Sequence, residues 1–407
     1  MADHNTFQYY EKSLVAGDDD FGKSLSPLKT PAFVYDETTL QNLLSQVDDV
    51  RGHQDCDVVF SVKACTDVDI LRTMAQRLDG FSVSSLYEAR LAKTISATHS
   101  VHYTSPGIRG DEIEVLARYC DYISFNSLSQ WDRFRSKIDA SLECGIRVNP
   151  QLSFVGDRRY DPCRPNSKLG VPLDQLVKEC DADSSRFLGL NGILFHSNCD
   201  SENISQLLNT VRHISESAPK IMDSITWINL GGGYLIDCPT SSGEIAEVIK
   251  YLKSLYDINV ILEPGAALVR TAGFIVSSVL DIFRSEGVTV VVLDTSINHM
   301  PEVFEYAFEP DVLGHDDSAA NEYLLAGCSC LAGDLFGQYR FNQELKVGDK
   351  LVFNNAGAYT LAKANMFNGI PLPSVYALTS QGNLVFKNHC TFEQFATMWG
   401  LGVDVRT

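Results

Sequence analysis

The chain has 407 residues, of which 44% are hydrophobic, 21% charged and 10% aromatic, fractions that exclude a collagen, a coiled coil and long disordered tails. Lys plus Arg number 33 against 52 for Asp plus Glu, a formal net charge of −19, which argues against a nucleic-acid partner gripped through its phosphates. The 11 cysteines form no CxxC pair and no regular spacing, so a reducing compartment fits better than a disulfide framework.

The opening MADHNTFQYYEKSL is polar and has neither the apolar segment nor the cleavage site of a secretory leader. No apolar run approaches the roughly 18 residues of a membrane span, so the expectation is a cytoplasmic protein with no membrane partner. From Ala32 onward short apolar runs recur: Ala32–Tyr35, Val58–Lys63, Gly80–Val83, Val101–Tyr103, Tyr122–Phe125, Ile146–Val148, Gly192–Phe195, Ile225–Leu230 and Val260–Leu262. Amphipathic stretches such as Val68–Arg77, Ser85–Ile95, Glu112–Cys120, Ser129–Ile138 and Glu244–Tyr256 lie between them. Strand then helix, repeated about eight times, predicts an α/β fold closed into a (β/α)8 barrel over residues 30–267, with an open doubly wound sheet as the alternative. After about residue 268 the rhythm changes. FIVSSVLDIF, GVTVVVLDTS, NEYLLAG, DKLVFNNAGAY and SVYALTSQGNLVFKN run or alternate apolar with few helices between. They predict a second, mainly antiparallel β domain, a sandwich or barrel of residues 268–407 joined by residues 1–29.

In a parallel barrel, functional groups gather where strands end at their C-terminal side. Lys63 closes VVFSVK, His196 closes GILFH, Gly231, Gly232 and Gly233 follow WINL, and Glu263 closes VILE. A lysine closing an apolar strand is poorly solvated, which lowers its pKa and frees the amine for Schiff-base chemistry; otherwise it snorkels to water. Three glycines after a strand offer backbone N–H groups to a phosphate, or make a tight turn. They fit neither a P-loop nor a clean dinucleotide fingerprint. Glu263 could hold the proton of a pyridine nitrogen, cap a helix or bond Arg270. His196 could stack on a flat cofactor ring or sit in the core. His196 and Cys199 have no second cluster at ligand spacing, so no metal is assigned. No GxSxG elbow is present. Amine, phosphate cradle, carboxylate and planar histidine together describe a pyridoxal 5′-phosphate site.

These residues also carry a resemblance. FSVKAC, WINLGGGY and LEPG resemble the fold-type III, alanine-racemase-like pyridoxal-phosphate decarboxylases, and within them the carboxynorspermidine/carboxyspermidine decarboxylase branch. FNSLSQW at 125–131, DPCRPNSKLG at 161–170, LDTSINHMPE at 293–302, CSCLAGDLFG at 328–337 and AGAYTLAKANMFNGIPLP at 356–373 extend it over almost the whole chain. The resemblance implies that Lys63 binds the cofactor covalently, His196 stacks on its ring and Glu263 pairs with its nitrogen. It further implies that Gly231, Gly232, Gly233 and Tyr359 hold the phosphate. Cys330 is implied as the proton donor and Asp334 as a substrate-amine contact, both reaching a partner subunit's site in a homodimer with shared active sites. A buried structural cysteine is the alternative for Cys330. Ala266 after LEPG and HSNCDS at 196–201 depart from the family pattern, and both border the substrate end.

The reaction expected is removal of the α-carboxylate from an amino acid bearing a distal amine, and the resemblance implies carboxynorspermidine or carboxyspermidine as first choice of this small-molecule substrate, with a polyamine as product. A different amino-acid substrate from siderophore or secondary metabolism is the enzymatic alternative. A catalytically silent regulator is the alternative of another class. A racemase fits less well, because that branch usually sets an arginine where this chain has Glu263.

Overall fold

The computed structural model describes Leu25 and residues 28–53, 55–236 and 241–402. The opening segment up to residue 24, expected to join the second domain, lies outside the described residues. The chain divides into two compact units, one running Leu43–Leu268 and the other combining the described residues up to Asn42 with those from Val269 onward.

The first unit is a closed barrel. Its strands are β2 (Asp57–Ser61), β3 (Gly80–Val83), β4 (Ser100–Ser105), β5 (Tyr122–Phe125), β6 (Glu143–Asn149), β8 (Gly192–Phe195), β9 (Trp227–Asn229) and β10 (Asn259–Leu262), after β1 (Ala32–Asp36) in the chain and with a short β7 (Val171–Pro172) beside β6. Each barrel strand pairs in parallel with its neighbours, β10 with β2 and β5 with β6 completing the ring. Helices with one buried face connect them, several started by side-chain caps. Asp67 accepts from Asp69 and Ile70, and Ser85 accepts from Glu88, whose carboxylate bonds Ser84 in return. Reciprocal bonds of this kind satisfy N–H groups that a helix start leaves unpaired.

One end of the barrel is plugged by Trp227, at the start of β9. A Cβ on Gly192 would lie 2.1 Å from its ring and one on Gly145 2.4 Å, so both strands must be glycine there. Tyr122 meets Trp227 edge-on at 5.4 Å and stacks on His102 at 4.1 Å. This packing closes the N-terminal end of the strands and leaves the other end for chemistry.

Eight of the nine apolar runs read from the sequence are the barrel strands. The ninth, Ala32–Tyr35, is β1, and it lies in the second unit's sheet, antiparallel to β11 (Gly273–Ser285) and parallel to β16 (Ser374–Leu378). The barrel, expected from residue 30, therefore begins after this strand. All five residues of β1 are buried. A central strand buried on both faces has the same apolar signature in either sheet.

The second unit's sheet also contains β12 (Val288–Leu293), β13 (Asn321–Ala326), β14 (Leu335–Phe341), β15 (Lys350–Phe353) and β17 (Leu384–Asn388). Its pairings are mainly antiparallel, with β1–β16 and β12–β13 parallel. The 13-residue β11 serves both halves, pairing β1 and β15 through its first part and β12 through its last, with a register shift between Val279 and Asp281. Leu25, Leu28, Ala32, Val34, Phe274, Val276, Leu313, Val352 and Leu378 form one hydrophobic cluster in the core of this unit.

Candidate active site

The C-terminal ends of β2, β8, β9 and β10 carry the residues singled out in the sequence. β2 stops at Ser61, so Lys63 stands two residues beyond the strand, in a single 3-10 turn over Val62–Ala64. The Ser61 N–H donates to the Pro264 carbonyl at 3.0 Å, which ties this turn to the segment after β10. A Cβ on Gly265 would sit 3.1 Å from those of Ala64 and Ser61, so the glycine of LEPG lets the two strand ends close on one another.

Lys63 keeps accessible side-chain surface, yet the protein around it is dense enough to lower its amine pKa by desolvation. A group with both properties lies in a recess, not on a convex surface. The Arg147 guanidinium lowers the pKa further, against the opposing pull of Glu263 and Glu88. His196 immediately follows β8. Its Nδ1 accepts the Gly232 N–H at 3.2 Å, and burial together with the Lys63 and Arg147 charges holds the ring well below its ordinary pKa. The imidazole is thus neutral, with its proton on Nε2.

Glu263 immediately follows β10 and is 8% exposed. Burial raises its pKa, while an Asn229 hydrogen bond, Lys63, the Ser82 hydroxyl and Arg147 act to keep it ionised. The Asn229 amide donates to Glu263 Oε1 at 2.7 Å. The glycine loop packs on its neighbours' backbone. A Cβ on Gly231 would lie 2.4 Å from the Phe195 carbonyl, one on Gly232 2.3 Å from that of Glu263 and one on Gly233 2.1 Å from that of Asn198. Gly231 and Gly233 also have φ of +69° and +89°, a region that side-chain-bearing residues rarely occupy.

Three contributors escaped the sequence reading. Arg147 is an 8%-exposed guanidinium on β6, whose field reaches Lys63, His196 and Glu263. Its signal was available: an arginine inside the apolar strand ECGIRVN is a charge in the wrong place unless it works there. Asn229 and Glu88 gave no comparable signal, since Asn before a turn and Glu at a helix start are ordinary.

Cys330, Asp334 and Tyr359 belong to the second unit, where three of the quoted motifs meet. Cys330 is exposed, not a buried structural thiol, and its N–H donates to Asn368 Oδ1 at 2.7 Å. Asp334 is 3% exposed. Its Oδ1 accepts the Ile297 N–H at 2.8 Å, and its Oδ2 accepts from the Ser296 hydroxyl at 2.9 Å, the Ser329 N–H at 3.0 Å and the Ser329 hydroxyl. The sequence reading gave this carboxylate a substrate amine. With four donors from its own chain it laces the 295–297 and 327–329 segments together beside Cys330. Tyr359 adopts φ of +56°, a strained backbone of the kind that clusters at functional sites, in a segment anchored by Ala356 N–H to Gly273 O at 2.8 Å and Gly357 N–H to Arg270 O at 3.0 Å.

A recessed amine, a neutral histidine, a buried carboxylate and a side-chain-free loop are the donor set that pyridoxal phosphate requires. Comparison with known proteins agrees. The model of the pyridoxal-dependent decarboxylase family's pyridoxal binding domain matches residues 39–270. The carboxyaminopropylagmatine decarboxylase of Synechocystis sp. is 32% identical over 385 residues, covering 92% of this chain and 97% of that protein. The carboxynorspermidine/carboxyspermidine decarboxylase of Herminiimonas arsenicoxydans is 30% identical over 378 residues, 91% of this chain and 99% of that one. The crystal structure of carboxynorspermidine decarboxylase complexed with norspermidine from Campylobacter jejuni superposes with a TM-score of 0.82 at 28% identity, over 91% of this chain and 100% of that one.

Proposed function

The chain belongs to the pyridoxal-dependent decarboxylases, and from that premise we propose that it removes the α-carboxylate of a carboxylated polyamine. The observation that carries this reading is the convergence of Lys63, His196, Glu263 and the glycine loop on one end of the barrel, in a chain that matches decarboxylases of such substrates along nearly its whole length. First choice of substrate is carboxynorspermidine or carboxyspermidine. The carboxyaminopropylagmatine decarboxylase likeness brings a guanidino-ended analogue into the same class.

Bound pyridoxal phosphate supplies an electron sink for the pair left behind when CO2 departs. Lys63, its amine deprotonated more readily than an ordinary lysine, is the covalent anchor. Gly231, Gly232 and Gly233 would hold the phosphate, a role that the family resemblance extends to Tyr359, and His196 would pack against the ring. Glu263 would hold a proton on the ring nitrogen. Cys330 Sγ delivers the proton that replaces the carboxylate at Cα. Two copies of the chain complete each site. Support for this comes from the surroundings of Cys330, where Leu331, Leu335, Phe367 and Phe304 are 37%, 43%, 44% and 65% exposed, an apolar rim that a second copy would cover. No helix of the described residues is long and apolar enough to cross a membrane. No disulfide links the ten described cysteines, a state that suits the reducing cytoplasm.

The test is turnover on a panel: carboxynorspermidine, carboxyspermidine, carboxyaminopropylagmatine, diaminopimelate, lysine and ornithine. The carboxylated polyamines are expected to lead in kcat/KM. A simple diamino acid in first place refutes the substrate class, and no turnover on any member, with cofactor bound, refutes the enzymatic reading.

Glu263→Gln is expected to lower turnover by at least about tenfold, roughly 1.4 kcal/mol of barrier. The neutral amide cannot hold the ring nitrogen's proton by charge, so less negative charge can be accommodated as CO2 leaves. Single-turnover kinetics check this, and an unchanged chemical step assigns Glu263 to structure alone.

A further inference from the structure

Asn229 closes β9, paired in register with Leu194 of β8 and Ile261 of β10, and only 1% of its surface is exposed. A buried amide has two donors and an acceptor to satisfy, and leaving them unmade is expensive. Both ends are used. Oδ1 accepts the Gly231 N–H at 2.9 Å, and Nδ2 donates to Glu263 Oε1 at 2.7 Å. The orientation of the amide follows from chemistry, because a peptide N–H can only donate and so must face the amide oxygen. Glu263 Oε1 is therefore held as an acceptor, and the Ser82 hydroxyl also bonds the carboxylate. A third bond joins the same parts, the Glu263 N–H donating to the Gly231 carbonyl at 2.8 Å.

We infer that Asn229 is a positioning residue that locks the glycine loop and Glu263 to one another, so that the phosphate end and the ring-nitrogen end of the cofactor site are held as one unit. This inference rests on the cofactor placement proposed above. The two arms of the amide make different demands and can be cut separately. Asn229→Asp keeps an acceptor for Gly231 but sets an acceptor against Glu263 Oε1, two carboxylates that cannot both ionise at hydrogen-bonding distance. Asn229→Ala removes both arms. Asn229→Asp combined with Glu263→Gln restores a donor–acceptor pair with its direction reversed.

The experiment titrates wild type and the three variants with pyridoxal 5′-phosphate and with pyridoxal, and records the thermal midpoint of each cofactor-free protein. The ratio of the two dissociation constants reads the phosphate cradle, and pyridoxal affinity alone reads the ring end. For Asn229→Asp we expect pyridoxal to bind about tenfold more weakly, the scale of one hydrogen bond to a charged group, with the ratio kept within about twofold. For Asn229→Ala we expect the ratio to fall as well. The reversed pair should regain the thermal midpoint lost by Asn229→Asp without regaining pyridoxal affinity, a pattern that general loosening of the barrel would not produce. If Asn229→Ala fails to fold, Asn229→Asp and the reversed pair decide the matter. Wild-type affinities and ratio in Asn229→Asp and Asn229→Ala, with cofactor attached at Lys63, overturn the inference and leave the site reading standing. Failure of the wild type to bind pyridoxal 5′-phosphate overturns both.

Discussion

Lys63→Ala is expected to abolish covalent attachment of pyridoxal phosphate and to reduce turnover to background. Attachment needs an unprotonated amine, and among lysines that is a matter of environment. Lys63 has its pKa lowered by burial and by the Arg147 charge. Lys220 is shifted the other way by Asp181, and Lys363 by Glu305 and Glu302. Lys350 is also lowered by burial, but its amine donates to the Leu25 and Leu28 carbonyls at 2.7 and 2.8 Å and is not presented to a ligand. Borohydride reduction of the loaded protein, followed by peptide mapping, should therefore label Lys63 in the wild type and nothing in the variant. A label at Lys350 or any other lysine removes Lys63 from its assigned role.

The second large effect concerns the assembled enzyme. Lys63→Ala and Cys330→Ala should each be inactive alone, the first through the anchor and the second through the proton donor. If each site takes Lys63 from one copy and Cys330 from the other, a mixed dimer collects both lesions in one site and leaves the other whole. Random exchange makes half the dimers mixed, so activity should return to about a quarter of wild type. If both residues of a site come from the same chain, every site carries a lesion and nothing returns. Native mass spectrometry of differently tagged variants, before and after mixing, confirms that subunits have exchanged. The exposed apolar residues beside Cys330 are the physical reason to expect recovery.

Much of the architecture was legible in the sequence because parallel strands buried on both faces read as uninterrupted apolar runs. Val58–Lys63 through Val260–Leu262 announce the barrel in this way, and the position of Lys63, His196 and Glu263 at the ends of those runs announces where chemistry gathers. The same property misplaced Ala32–Tyr35. Nothing local distinguishes a barrel strand from the centre of another buried sheet, and only its hydrogen bonds to β11 and β16 do so.

By itself, then, the sequence favoured a closed barrel over an open sheet and indicated the β-rich second unit, the strand ends where chemistry gathers and the kind of cofactor they suit. These follow from periodicity and from single residues at strand ends, which are local quantities. The tertiary structure alone decided the partners. Asn229 meets a carboxylate 34 residues away, and Asp334 meets a serine 38 residues away. Arg147 contributes to the field felt by three residues just beyond the ends of other strands. Which polar groups satisfy one another in a buried site depends on register and on strand order around the ring, and no window of neighbouring residues contains either.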